Sequence, residues 1–255
     1  MRIAVSSWSF QKSLKRRKVS PRRVMETCVH ELGLDAVEFV QSHLEGFSDN
    51  DLSALMKNSE KLGCQVLCLA ASADLTIENG GKQRREVEDL VKWALWATRY
   101  GVPFIRVNSG HVELNGDAAG LMIGGIREVQ TRCGTRGPVV VIENLGGPSE
   151  CAANIVNVIR QINSTQVGAC IDFGNFGHQD LHDMVQVLAP YAKYVHAKSY
   201  VFDSQGFETK INYCRVFDIL RNVRYSGPVS IEFEGTGDEL AGVKQTLALI
   251  HRILR

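Results

Sequence analysis

Residues 139–144 read Val-Val-Val-Ile-Glu-Asn, four β-branched apolar residues halted by a carboxylate and a carboxamide. A short continuous apolar run of this kind is a strand buried on both faces, and its polar residues mark where it emerges. The form recurs downstream. Residues 167–172 read Val-Gly-Ala-Cys-Ile-Asp, residues 194–198 Tyr-Val-His-Ala-Lys and residues 229–234 Val-Ser-Ile-Glu-Phe-Glu. Upstream, Ile3–Ser7, Ala36–Val40, Gln65–Ala71 and Phe104–Asn108 have the same apolar character, which predicts eight strands in all. Amphipathic segments alternate with them. Glu86–Arg99 carries Val87, Leu90, Val91, Ala94, Leu95 and Thr98 along one helical stripe, and Ala118–Arg132, Ala152–Ile162, Asp180–Leu188, Cys214–Val223 and Leu240–Leu254 read alike. Ser20-Pro21 and Asn115–Asp117 have the chemistry of helix starts, and Gly33, Gly63 and Gly101 stand where helices end.

Eight β-then-α units in 255 residues average about 32 residues each, the size expected of a single (β/α)8 TIM barrel. A doubly wound open sheet would usually place a glycine-rich phosphate loop after its first strand. Here that strand runs into Ser6-Ser7-Trp8-Ser9-Phe10, without glycine. The expectation is one α/β domain over residues 1–255.

Composition narrows the function without naming it. Twenty-nine Lys and Arg stand against 28 Asp and Glu, a net charge of +1 that argues against a nucleic-acid or membrane-surface partner. The apolar runs are too short to span a bilayer, and the opening Met1-Arg2-Ile3-Ala4-Val5 enters a strand without room for a signal peptide. Seven cysteines in apolar or helical contexts read as reduced thiols, Cys64 and Cys68 among them, so the expected compartment is the cytoplasm.

In such barrels the site is built where the strands end. Period-two alternation puts Val139, Val141 and Glu143 on one face, and likewise His196 with Lys198 and Ser230 with Glu232. A carboxylate buried at the end of an apolar strand is costly unless a cation or donor meets it. Glu143, Asp172, His196 and Glu232, on four consecutive strands, form a mixed oxygen and nitrogen set suited to one divalent ion such as Mn²⁺, Co²⁺, Mg²⁺ or Zn²⁺. Taken singly, each would be an ordinary strand-end polar residue.

At these residues the chain resembles the xylose isomerase-like TIM barrels, in particular their sugar isomerase and epimerase branch. The matching segments are Val140-Val-Ile-Glu-Asn144, Cys170-Ile-Asp-Phe-Gly-Asn175, Tyr194-Val-His-Ala-Lys198 and Tyr225-Ser-Gly-Pro-Val-Ser-Ile-Glu232. The resemblance implies one divalent metal held by Glu143, Asp172, His196 and Glu232, with Glu143 and Glu232 doubling as acid/base carboxylates on opposite faces of a bound sugar. It departs from the family pattern in three places. Leu145 stands where related sequences often have a histidine, Asn175 stands where the epimerases put a substrate-binding histidine, and the arginine those epimerases place shortly after the strand-seven histidine has no match here. The implied activity is metal-dependent isomerisation or epimerisation of a small sugar, sugar acid or polyol ketone. Proton abstraction would occur next to a metal-chelated carbonyl. The implied partner is a sugar or keto-acid substrate, without nucleic acid or membrane, and a homodimer is compatible with it. A dehydratase or lyase shares the first half of that path. An abasic-site endonuclease shares the barrel but needs about three metals, and strand three ends in Ala70-Ala71-Ser72 without a ligand.

Lys198 shares the face of His196, where an ammonium would stabilise a developing enediolate; its structural alternative is an ion pair with Glu234 or Asp203. Arg106 and Asn108 end strand four on a common face and read as substrate contacts, Arg106 alternatively pairing with Glu143 or Glu38. Asn175, Trp8 and Glu38 complete the expected substrate shell, with packing under the first loop the rival role for Trp8. His111 reads as a solvent-facing loop histidine. Lys12, Lys15, Arg16, Arg17, Lys18, Arg22 and Arg23 lack interleaved aromatics and read as a solvated first loop and helix start, with steering of an anionic substrate as the second reading.

Overall fold

A computed structural model describes residues 1–145, 151–175 and 180–255. Its eight parallel strands close in chain order into a barrel, the α/β TIM fold read from the sequence. They are β1 Ile3–Ser6, β2 Ala36–Val40, β3 Gln65–Ala70, β4 Phe104–Asn108, β5 Val139–Glu143, β6 Val167–Asp172, β7 Ala192–Ser199 and β8 Val229–Phe233. Among the described residues the helices are α1 Gln11–Lys15, α2 Pro21–His30, α3 Asp49–Leu62, α4 Gly80–Tyr100, α5 Gly116–Cys133, α6 Ala152–Ile162, α7 Leu181–Leu188, α8 Tyr213–Asn222 and α9 Glu239–Leu254. Among the described residues no helix is long and apolar enough to cross a membrane.

The packing resolves two compact units. Met1–Leu67 with Val195–Arg255 form one, and Cys68–Tyr194 the other. In the first, β1 pairs with β2 through Val5↔Val37 and with β8 through Ile3↔Val229, while β7 meets β8 at His196↔Ser230 and Lys198↔Glu232. In the second, β4 meets β5 at Asn108↔Glu143, and β5 meets β6 at Glu143↔Cys170. All five residues of β2 and all six of β6 are buried, which is why these strands are continuous apolar runs rather than alternating ones.

Local chemistry sets the boundaries. β1 stops at Ser6, one residue earlier than its apolar pattern suggests, because the Ser6 hydroxyl accepts from the Trp8 amide at 3.3 Å and starts a 3₁₀ turn over Ser7–Phe10. α2 opens on Ser20, whose Oγ accepts from Arg23 N at 3.2 Å, with Pro21 pre-set at the first helical position. α3 opens on a capping box between Ser48 and Asp51, and closes at Gly63, whose φ of 62° an L side chain adopts with strain.

Phe233, at the end of β8, fills the space left by two glycines. A Cβ on Gly242 of α9 would lie 2.3 Å from its ring, as would one on Gly235. The bare backbone of Gly242 is what lets α9 seat on β8. Gly242→Ala should therefore destabilise the protein by about 1–3 kcal/mol, the cost of overpacking. Thermal melts would show it, and adding Phe233→Leu should recover part of the loss; an unchanged melting temperature in the single variant would refute this packing account.

Candidate functional site

In the Cys68–Tyr194 unit, β5 and β6 end side by side in Glu143 and Asp172. Both are buried, 2 % and 0 % exposed, and each offers a carboxylate oxygen within 4.8 Å of the other's. Glu143 has a cation beside it, with Arg106 Nε 3.4 Å from its Oε2. The guanidinium also donates to the Ala71 carbonyl at 3.3 Å and to Asn108 Oδ1. Arg106 thus takes up the ion pair with Glu143 read as its structural alternative. Asn144 ties the two strand ends together: its Oδ1 accepts from Asp172 N at 2.8 Å, and its Nδ2 donates to the carbonyls of Asp172 and Asn175 at 3.1 and 2.9 Å. Asp172 Oδ1 accepts from Gly174 N at 2.6 Å. Asn175 therefore joins this unit's site through its backbone carbonyl.

In the other unit, β2, β7 and β8 bring Glu38, His196, Lys198 and Glu232 together. His196 is fully buried between two carboxylates, its Nε2 3.0 Å from Glu38 Oε2 and its Nδ1 3.7 Å from Glu232 Oε1. Glu38 Oε1 accepts from Ser6 Oγ at 2.9 Å. With one oxygen on a hydroxyl and the other on the imidazole, Glu38 fixes the ring. Lys198 Nζ lies 2.7 Å from Glu232 Oε2 and 3.0 Å from Glu234 Oε1. Of the structural partners read for Lys198 the structure selects Glu234, and adds Glu232. Glu234 in turn accepts from the indole N–H of Trp8.

Trp8 is the hinge between this cluster and the loops. Its ring stacks on His43 at 6.1 Å, and Lys15 Nζ stands 5.7 Å from its centroid. Sequence reasoning missed His43 as a neighbour of Trp8, and treated Glu234 only as a partner for Lys198. The sole signal for His43 was its place just after β2. Burial, with some repulsion from Lys15, pushes the His43 imidazole down to about 4. His111 is exposed, as are Lys15, Arg16, Arg17, Lys18, Arg22 and Arg23. None of the seven cysteines is in a disulfide; Cys64 and Cys68 are buried, as expected, and Cys64 hydrogen-bonds with Cys28, whose thiol is pushed up chiefly by that contact and by burial.

A barrel with carboxylates, a histidine and a lysine at its strand ends matches one family model, the xylose isomerase-like TIM barrel, over residues 28–253. The chain belongs to that family. Solved structures share the family fold along nearly the whole chain. D-psicose 3-epimerase from Clostridium cellulolyticum H10, crystallised with D-tagatose, is 13% identical with a TM-score of 0.76, and the match covers 100% of this chain and 98% of that one. An L-ribulose 3-epimerase is 19% identical with a TM-score of 0.75, covering 99% and 94%. A D-allulose 3-epimerase from Methylomonas sp. is 12% identical with a TM-score of 0.77, covering 99% and 98%. No curated protein matches the chain.

The His43 imidazole gives this xylose isomerase-like barrel a pH signature. Unfolded, it takes up a proton near its ordinary value of about 6.5; folded, only near 4. The unfolded state thus binds more protons between these values, so stability present above about pH 6.5 is lost as the pH falls towards 4. His43→Gln keeps an acceptor for Ser7 and removes the titration. Melts at about pH 7 and about pH 5 should show a smaller acid loss in the variant than in the wild type; equal losses would take His43 out of the acid response.

Proposed function

We propose that this protein is a sugar isomerase or epimerase that works with one divalent metal ion on a small sugar, sugar acid or polyol ketone. One observation carries the reading. Two buried donor pairs stand at the strand ends, Glu143 with Asp172 and His196 with Glu232, the donor atoms of each pair within 4.8 Å. Three carboxylates and one imidazole make a mixed oxygen and nitrogen set suited to a divalent ion such as Mn²⁺, Co²⁺, Mg²⁺ or Zn²⁺. Glu143, Asp172, His196 and Glu232 would hold it. The 3-epimerase neighbours support the reaction class.

When bound, the ion supplies Lewis-acid polarisation of a substrate carbonyl. The chain's own residues do the rest. Glu143 or Glu232 removes the proton from the carbon beside that carbonyl, and the other returns one, from the opposite face in an epimerase. Arg106 gives Glu143 a counter-charge and, with Asn108 next to it, presents donors at the end of β4. Lys198 neutralises Glu232 and Glu234 and offers an ammonium to the substrate oxygen on which charge grows. Trp8 contributes an apolar face for the sugar, and Asn175 a polar edge after β6. Glu38 is a positioning residue. By accepting the Nε2 proton of His196 it leaves Nδ1, on the Glu232 side, as the ligand nitrogen, the role carboxylates commonly play behind a metal-bound histidine.

Two outcomes test this. Glu143→Gln and Glu232→Gln should each abolish deuterium incorporation from D₂O at the carbon next to the carbonyl of a ketose that the wild type turns over, while leaving the fold intact. Undiminished exchange in either variant removes that carboxylate from the chemistry. Glu38→Gln should weaken Mn²⁺ binding by roughly 10- to 100-fold, the usual effect of losing such a support. Isothermal titration reads this directly, and an unchanged affinity would reduce Glu38 to packing.

A further inference from the structure

The loops after β1 and β2 enclose a cleft of about 640 Å³ that the proposed chemistry does not use. Lys15, Arg17, Lys18 and Arg23 line it, with His43, and Glu45 is the acidic residue among them. Arg23 is engaged by Glu26 and Glu31. Lys15, Arg17 and Lys18 make no ion pair among the described residues, so two ammonium groups and one guanidinium line the cleft without carboxylates of their own.

Two further features shape the cleft. The first is the backbone of Arg17, whose φ of 53° is left-handed and would suit glycine. The turn is held by Arg17 N to the Leu14 carbonyl at 2.9 Å and Lys18 N to the Ser13 carbonyl at 2.9 Å. The second is a ring nitrogen of His43. Ser7 Oγ accepts from Val40 N at 2.9 Å and lies 2.9 Å from His43 Nδ1. The other ring nitrogen, Nε2, is buried without a hydrogen-bond partner among the described residues.

We propose that this cleft binds the phosphate or carboxylate group of a small anionic ligand, held by Arg17, Lys18 and His43 Nε2, protonated in the tautomer whose Nδ1 accepts from Ser7. The ligand is the substrate itself, a sugar carrying a phosphate or acid group; this part rests on the isomerase or epimerase reading. Trp8 provides the continuity, with one side of its ring on His43 and its N–H on Glu234, the partner of Lys198. A ligand anchored by its anionic end in the cleft would lay its polyol along Trp8.

The probe is inorganic phosphate, titrated calorimetrically at constant ionic strength, because exposed charges respond to salt alone. Wild type should bind it saturably at one site. Arg17→Gly relieves the left-handed strain while removing the charge, so it should melt no lower than wild type; combined with Lys18→Ala it should weaken phosphate at least about tenfold, as loss of charged hydrogen bonds does. Absence of saturable binding, or unchanged affinity in the double variant, overturns the site. A ketose phosphate should bind more tightly than phosphate, and equal affinity overturns the assignment to substrate. The titration needs neither metal nor turnover. Phosphate binding without deuterium exchange would count against the epimerase chemistry alone, whereas exchange without phosphate binding would count against the cleft alone.

Discussion

Buried negative charge is the constraint on which this structure turns. Glu38, Glu143, Asp172 and Glu232 stand at or next to the ends of apolar strands with 3 % or less of their surface exposed. Carboxylates so placed cannot stay ionised without compensation. Much of the polar architecture can be understood as that compensation: Arg106 on Glu143, Lys198 on Glu232, the Ser6 hydroxyl and the His196 ring on Glu38, and the Gly174 amide on Asp172. The proposed divalent cation would add to that compensation.

That constraint also explains what could be read from sequence. A strand buried on both faces permits no polar residue until it emerges, so Glu143, Asp172, His196 and Glu232 announced themselves at the ends of apolar runs, and β2, β4, β5 and β6 agree with the structure to the residue. The Ser7 boundary was less legible because a serine hydroxyl, not hydropathy, turns the chain there. The partners of each site residue were harder still. Glu38 meets His196 across 158 positions in sequence, and Trp8 meets Glu234 across 226. Periodicity tells which way a side chain points, not which distant side chain waits for it.

The loops carry what differs from the family pattern. Leu145 and Asn175 lie shortly past the ends of β5 and β6, near Glu143 and Asp172, and the basic segment after β1 belongs to no strand. The family match runs along 28–253, while the solved structures of the same fold are 12–19% identical.

The proposed metal site of Glu143, Asp172, His196 and Glu232 has a single imidazole ligand. Pulsed electron paramagnetic resonance of the protein loaded with one equivalent of Mn²⁺ tests it most directly. The account predicts coupling to one histidine nitrogen, lost in His196→Ala, in a shell otherwise made of oxygen. An all-oxygen spectrum in the wild type, or nitrogen coupling that survives His196→Ala, would contradict it.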